Sequence, residues 1–129
     1  MPVRSSSSSI LRWPDRHEVE GAVLNWAGAI ARSRPDVLRV GYFGSYARGD
    51  WGVGSDLDVL LVVSRSGVPF ERRALEFDTL TLPVPTDLLV YTPEELGALG
   101  DREGRFASML AREVVWVFER SDAELVEPA

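Results

Sequence analysis

The chain contains no cysteine, which excludes a thiol nucleophile, a disulfide framework and a zinc–thiolate centre. It contains no lysine either; all 14 basic residues are arginine. Schiff-base chemistry and the lysine of a phosphate-binding P-loop are excluded with it. A single histidine, His17, is too few for a histidine-built metal site. No apolar run approaches the ~20 residues of a membrane span, and the stretch from Met1 to Pro14 lacks the apolar centre of a signal peptide. A cytoplasmic location without a membrane partner is therefore expected. The formal net charge of −6 disfavours a nucleic acid held on a basic face. What remains for chemistry is carboxylates, hydroxyls and arginine.

At 129 residues the chain can bury one core. Residues 1–13 carry five consecutive serines, Ser5 to Ser9, and read as a disordered tail. Residues 14–120 read as the folded domain. Residues 121–129 read as an acidic C-terminal tail. Val19, Val23, Trp26, Ala27 and Ile30 recur at the helical period and predict a helix from about Asp15 to Ser33, ended by Pro35. Strands are predicted at Val37–Phe43, Asp56–Val63, Thr86–Tyr91 and Val114–Phe118, rich in β-branched and aromatic residues. A short helical turn is expected at Ser45–Arg48 and a helix from Phe70 to Leu80 with Phe70, Ala74, Phe77 and Leu80 inward. Thr92-Pro93-Glu94-Glu95 opens a short helix with a capping box, ending near Gly97 or Gly100, and Glu103–Glu113 is a last helix with Phe106, Met109 and Leu110 inward. The pattern is α/β: a small mixed β-sheet flanked by helices.

The stretch from Tyr42 to Val63 is the unusual one. Gly44-Ser45 follows the first predicted strand, a loop with Gly49, Gly52 and Gly54 comes next, and Asp56-Leu57-Asp58 opens the second strand. The period of two puts Asp56 and Asp58 on one face, about 7 Å apart along the strand. Asp87 stands near the start of a third strand. Three crowded carboxylates call for a cation, and hard oxygen ligands suit Mg²⁺, which binds carboxylates together with substrate phosphates. The Gly44-Ser45 turn offers backbone N–H groups to phosphate, with Arg48 one turn further on. Ser55 is a candidate to orient the Asp56 or Asp58 carboxylate. Trp51 is a candidate to stack on a base, although packing on its neighbours is the commoner fate of a loop aromatic. A P-loop, an EF-hand and a dinucleotide-binding fingerprint each fail, for want of a lysine, of oxygen ligands after Asp58, and of the right glycine spacing.

Gly44-Ser45, ten intervening residues and Asp56-Leu57-Asp58, with Asp87 in Thr-Asp-Leu-Leu-Val-Tyr, resemble the signature of the polymerase-beta-like nucleotidyltransferase superfamily. The compact size is similar to its minimal nucleotidyltransferases, which include the antitoxin partners of HEPN-domain toxins. The resemblance implies transfer of a nucleoside monophosphate, usually AMP from ATP, to an acceptor hydroxyl. It implies two Mg²⁺ ions held by Asp56, Asp58 and Asp87, with Asp87 also acting on the acceptor, and a triphosphate held by Gly44 and Ser45. The expected partner is a helical HEPN-type toxin. Two other readings compete: a small-molecule, drug-modifying nucleotidyltransferase with its pocket across a homodimer, and a non-catalytic antitoxin that acts by binding.

Overall fold

The structure, a computed structural model, describes residues 13–102 and 104–120. Both expected tails fall almost wholly outside these residues. The elements run α1 (Arg16–Ser33), β1 (Val37–Phe43), a one-turn α2 (Ser45–Arg48), β2 (Leu57–Val63), a one-turn α3 (Phe70–Arg73) continued by a 3-10 turn (Ala74–Glu76), β3 (Thr86–Tyr91), α4 (Pro93–Arg102), α5 (Gly104–Glu113) and β4 (Val115–Glu119). The four strands form one sheet in the order β3-β2-β1-β4. β2 pairs parallel to β3, while β1 pairs antiparallel to both β2 and β4. The mixed sheet expected from the sequence is the one observed.

α1 starts where its sequence tells it to. The Asp15 side chain accepts from the Glu18 N–H, and the Glu18 carboxylate accepts from the Asp15 N–H, a reciprocal cap for two otherwise unpaired donors. Val19, Val23, Trp26 and Ala27 face one side of the sheet and bury there with Val40, Tyr42, Leu57, Val59 and Leu61. Ala31 is buried at the end of the helix and Ile30 only partly so. At that end Arg120 donates to the carbonyls of Ala31, Arg34 and Val37, placing a cation where the helix dipole favours one. Trp13 joins this core, and its indole N–H donates to the Tyr46 hydroxyl at 2.7 Å.

The opposite face of the sheet carries the second core. Phe43, Leu60 and Leu110 are buried there, with Leu89, Tyr91, Leu96, Phe106 and Trp116 packed around them. The alternation along β2 decides which residue goes where. Leu57, Val59 and Leu61 point to α1, and Asp58 and Leu60 point to α4 and α5.

Several expected boundaries differ; β4, expected at Val114–Phe118, spans Val115–Glu119. β2 begins at Leu57, not Asp56, because the ladder starts where the Leu57 N–H donates to the Pro85 carbonyl. The helix expected to reach Leu80 stops at Glu76. There the Trp26 indole N–H takes the Asp78 carbonyl at 2.7 Å, and an extended chain buries Phe77, Leu82 and Val84 in the α1 core while Leu80 is exposed. α4 runs through Gly97 and Gly100 to Arg102. Each glycine costs roughly 1 kcal/mol of helix propensity, which burial of the Leu96 side chain in the second core offsets.

Candidate active site

The site stands at one end of the sheet, on the α4–α5 side. In the parallel β2–β3 pair Asp58 and Asp87 are direct register partners, so two carboxylates from chain segments 29 positions apart lie side by side. Asp56 precedes the strand and is exposed, as is Asp87; Asp58 is half-buried. The Asp58 carboxyl is pushed above the usual carboxylate range, first by burial, then by the charges of Asp87 and Asp56, with Arg48 pulling the other way. Asp56 and Asp87 thus both act electrostatically on Asp58. Among the described residues, no three acidic or histidine side chains form a metal cage by themselves.

Gly44 links this cluster to the turn before α2. Its φ of 81° and ψ of −152° lie in a region open essentially to glycine alone. A side-chain carbon there would collide with the Asp58 carboxylate. The backbone of the turn is thus pressed against the acidic cluster. Ser45 follows as the first residue of α2, half-buried.

The turn is anchored from behind. Tyr46 is wholly buried, accepts from the Trp13 indole, and stacks on Trp51 with the rings 5.6 Å apart and 8° from parallel. One face of the Trp51 ring is thus engaged with its neighbour. Arg48 lies on the rim, where its guanidinium reaches Asp50 at 3.1 Å and Glu113 at 3.3 Å. The Ser55 hydroxyl accepts from the Gly52 N–H at 2.8 Å, and the Ser55 N–H donates to the Gly52 carbonyl. Here Ser55 closes the glycine loop ahead of Asp56.

Sequence reasoning missed two contributors. Glu113, at the end of α5, ties that helix to the rim through Arg48; the signal was only an acid at a helix C-terminus, where the dipole disfavours it. The Tyr46–Trp51 stack, with the Trp13 indole bonded to the Tyr46 hydroxyl, was also missed, and only the aromatic spacing around the turn hinted at it.

Residues 27–117 match the sequence model of the nucleotidyltransferase domain. The chain belongs to the nucleotidyltransferase domain family. Among curated proteins none matches. Solved structures agree on the fold. A Sulfolobus solfataricus protein classed as a nucleotidyltransferase superposes with a TM-score of 0.61 at 20% identity, over 94% of this chain and 93% of that one. A toxin–antitoxin complex with AMP-PNP gives 0.49 at 15% identity, over 79% and 77%. A mutant of the toxin–antitoxin pair MntA–HpeT gives 0.47 at 12%, over the same shares; these last two are too distant to carry an argument. In this nucleotidyltransferase the family stretch contains Gly44, Ser45, Asp56, Asp58 and Asp87 alike.

Gly44→Ala is expected to lower nucleotidyl transfer by about 10²-fold, because a displacement near 1 Å at a reacting centre costs that much. The variant keeps its core. Steady-state transfer assays beside a circular dichroism spectrum check this: an unfolded variant, or full activity, would contradict the close approach described above.

Proposed function

We propose that this nucleotidyltransferase transfers AMP from ATP to a hydroxyl group of a partner protein, and that the partner is a helical HEPN-type toxin which the transfer controls. The observation that carries the chemical part is the approach of Gly44 to Asp58, so close that a side-chain carbon on Gly44 would collide with the carboxylate, which is itself in register with Asp87. A phosphate-binding turn and a carboxylate pair meet at one point.

The donor set fits a divalent cation. Every side chain is a hard oxygen ligand, and the Asp58 carboxyl is raised first by burial and then by the charges of Asp87 and Asp56. Among the described residues no three acidic or histidine side chains are placed to hold a metal ion by themselves; Mg²⁺ takes part of its shell from phosphate oxygens. Asp56, Asp58 and Asp87 would hold two such ions. The chemistry these supply when bound is charge neutralisation of the phosphates and of the attacking and leaving oxygens.

The protein's own groups do the rest. The N–H groups after Gly44 and the Ser45 hydroxyl hold the triphosphate, and glycine lets that backbone approach without a side chain in the way. Arg48 swings from Asp50 and Glu113 to the phosphates, an exchange between exposed ion pairs worth little either way. Asp87, exposed beside Asp58, accepts the proton of the incoming hydroxyl. That oxygen bonds to the α-phosphorus as the bond to pyrophosphate breaks, leaving an AMP ester on the acceptor.

The partner follows from size. The chain's two cores are spent on the sheet faces, and Asp56 and Asp87 face solvent. No described residue roofs the site, and a second chain presents the hydroxyl. Incubation with Mg²⁺, α-labelled ATP and the protein encoded beside it tests this. Label on a partner that binds is expected. Binding without label sinks the transfer to protein, and label on a small hydroxylated acceptor alone moves the reading to a small-molecule enzyme.

A further inference from the structure

We propose a second binding site, for an amphipathic monocarboxylate, between the sheet and the α4–α5 pair. A half-open cavity of about 350 Å³ lies there. Leu60 and Trp116 line its sheet side, Leu99, Ala107 and Leu110 its helix side, and among the described residues Arg39 supplies its one charge. The cavity uses none of the residues assigned to nucleotide or metal, although Leu60 stands only two positions beyond Asp58 on β2.

The apolar lining and the lone guanidinium define the ligand class. Cavities of 300–1,000 Å³ lined by apolar side chains with a few placed polar groups are the usual form of small-molecule sites; this one, near the lower limit, suits a single alkyl chain or a small ring system. Gly41 makes the cavity wall possible. A side chain on it would overlap Val114, Trp116 and the Val115 carbonyl at 2.7–2.9 Å, so its absence lets Trp116 lie across β1.

Arg39 points to the anion. Its guanidinium carbon sits 3.8 Å from the centre of the Trp116 ring, a cation–π contact that fixes the fork in place. Its Nε lies 3.2 Å from a Glu119 carboxylate oxygen, an ion pair by distance, yet the N–H makes no hydrogen bond. Among the described residues it is the one buried side-chain nitrogen or oxygen without such a partner. That atom is covered, while the Arg39 side chain as a whole is 39% exposed, so a ligand reaches the guanidinium through its terminal nitrogens. Glu119 is more than half exposed and holds Arg39 only weakly. A ligand carboxylate would meet those terminal nitrogens with its apolar body laid along Leu60, Leu99 and Leu110.

The probe is decanoate, with decanol as the uncharged control, followed by calorimetry and tryptophan fluorescence on the full chain. Decanoate is expected to bind with a dissociation constant on the order of 10–100 µM. Ala107→Trp, which fills the cavity, is expected to weaken it more than tenfold. Arg39→Met is expected to weaken decanoate about tenfold and leave decanol unchanged. Should the tryptophan variant not fold, Ala107→Leu carries the same test with a smaller loss. No decanoate binding to the unmodified chain overturns the proposal. So does binding indifferent to the Ala107 variants, or an equal effect of Arg39→Met on acid and alcohol. Nucleotidyl transfer is not the readout, so failure here leaves the catalytic reading untouched.

Discussion

Asp58→Asn is expected to lower nucleotidyl transfer by about 10³-fold and to make the metal-free protein more stable by about 0.5–2 kcal/mol. The two effects have one cause. Burial and the charges of Asp87 and Asp56 raise the Asp58 carboxyl above its ordinary range. An acid with a higher pKa folded than unfolded binds its proton more tightly in the native state. Its penalty is therefore absent below the unfolded pKa, grows as pH rises toward the folded pKa, and is fully present above it. Asparagine keeps the shape and removes the charge, so the gain in melting temperature is largest at neutral pH and fades as pH falls through the carboxylate range. Added Mg²⁺ and nucleotide should raise the melting temperature of the parent and not that of the variant, since a ligand stabilises only the state that binds it. The measurements are thermal melts at several pH values with and without Mg²⁺, beside a transfer assay. An inactive variant that also melts lower at pH 7 without metal would show that the carboxylate holds the fold and not the site.

Much of this site could be read from the chain because it is built from local grammar. The strand limits Val37–Phe43 and Thr86–Tyr91 are as expected, since β-branched runs bounded by turn residues leave little choice. Asp58 and Leu60 fall on the face opposite Leu57 and Val59 because the strand period is two. The Thr92–Glu95 capping box forms as its sequence dictates, with the Thr92 N–H donating to Glu95 at 2.9 Å and the Glu95 N–H to the Thr92 hydroxyl at 3.2 Å. What could not be read is what arises between segments. Nothing local says that β3 pairs parallel to β2, and only that register brings Asp87 beside Asp58. Helical periodicity after Phe70 competes with an indole N–H on a different helix, and the indole wins. Gly44 is legible as a glycine that lets the backbone approach a phosphate closely. That the space it leaves abuts Asp58 is a property of the assembled sheet.

Arg73 is the sharpest instance, and it carries the second prediction. In sequence it is one arginine of a pair in a charged turn. In the structure it is 5% exposed, and it joins α3, β3 and α4. Its guanidinium donates to the Val68 carbonyl at 2.7 Å and the Val90 carbonyl at 3.1 Å, and grips Glu95 with two bonds of 2.6 and 2.9 Å. Such a fork-to-carboxylate pair is the strong kind, and Glu95 also caps α4 through Thr92. Glu95→Ala is expected to destabilise the protein by about 2–4 kcal/mol. Leaving a buried cation unpaired costs about 3–5 kcal/mol, but the Glu95 side chain is 41% exposed, and water screens part of that loss. A fall of roughly 8–15 °C in melting temperature follows. Glu94→Ala, an exposed neighbour in the same turn, should change little. The pH dependence separates an ion pair from mere packing. Hydrogen bonds from Arg73 hold the Glu95 carboxyl at about 2, below the ordinary glutamate value of 4.5. A depressed acid contributes its stability in full above the unfolded pKa and loses it as pH falls through the folded one. The gap between parent and Glu95→Ala should thus be constant from pH 7 down to about 4.5 and narrow between there and about 2. A gap that stays constant across that window would mean that Glu95 acts through its methylenes and its cap, with Arg73 satisfied by the two carbonyls alone.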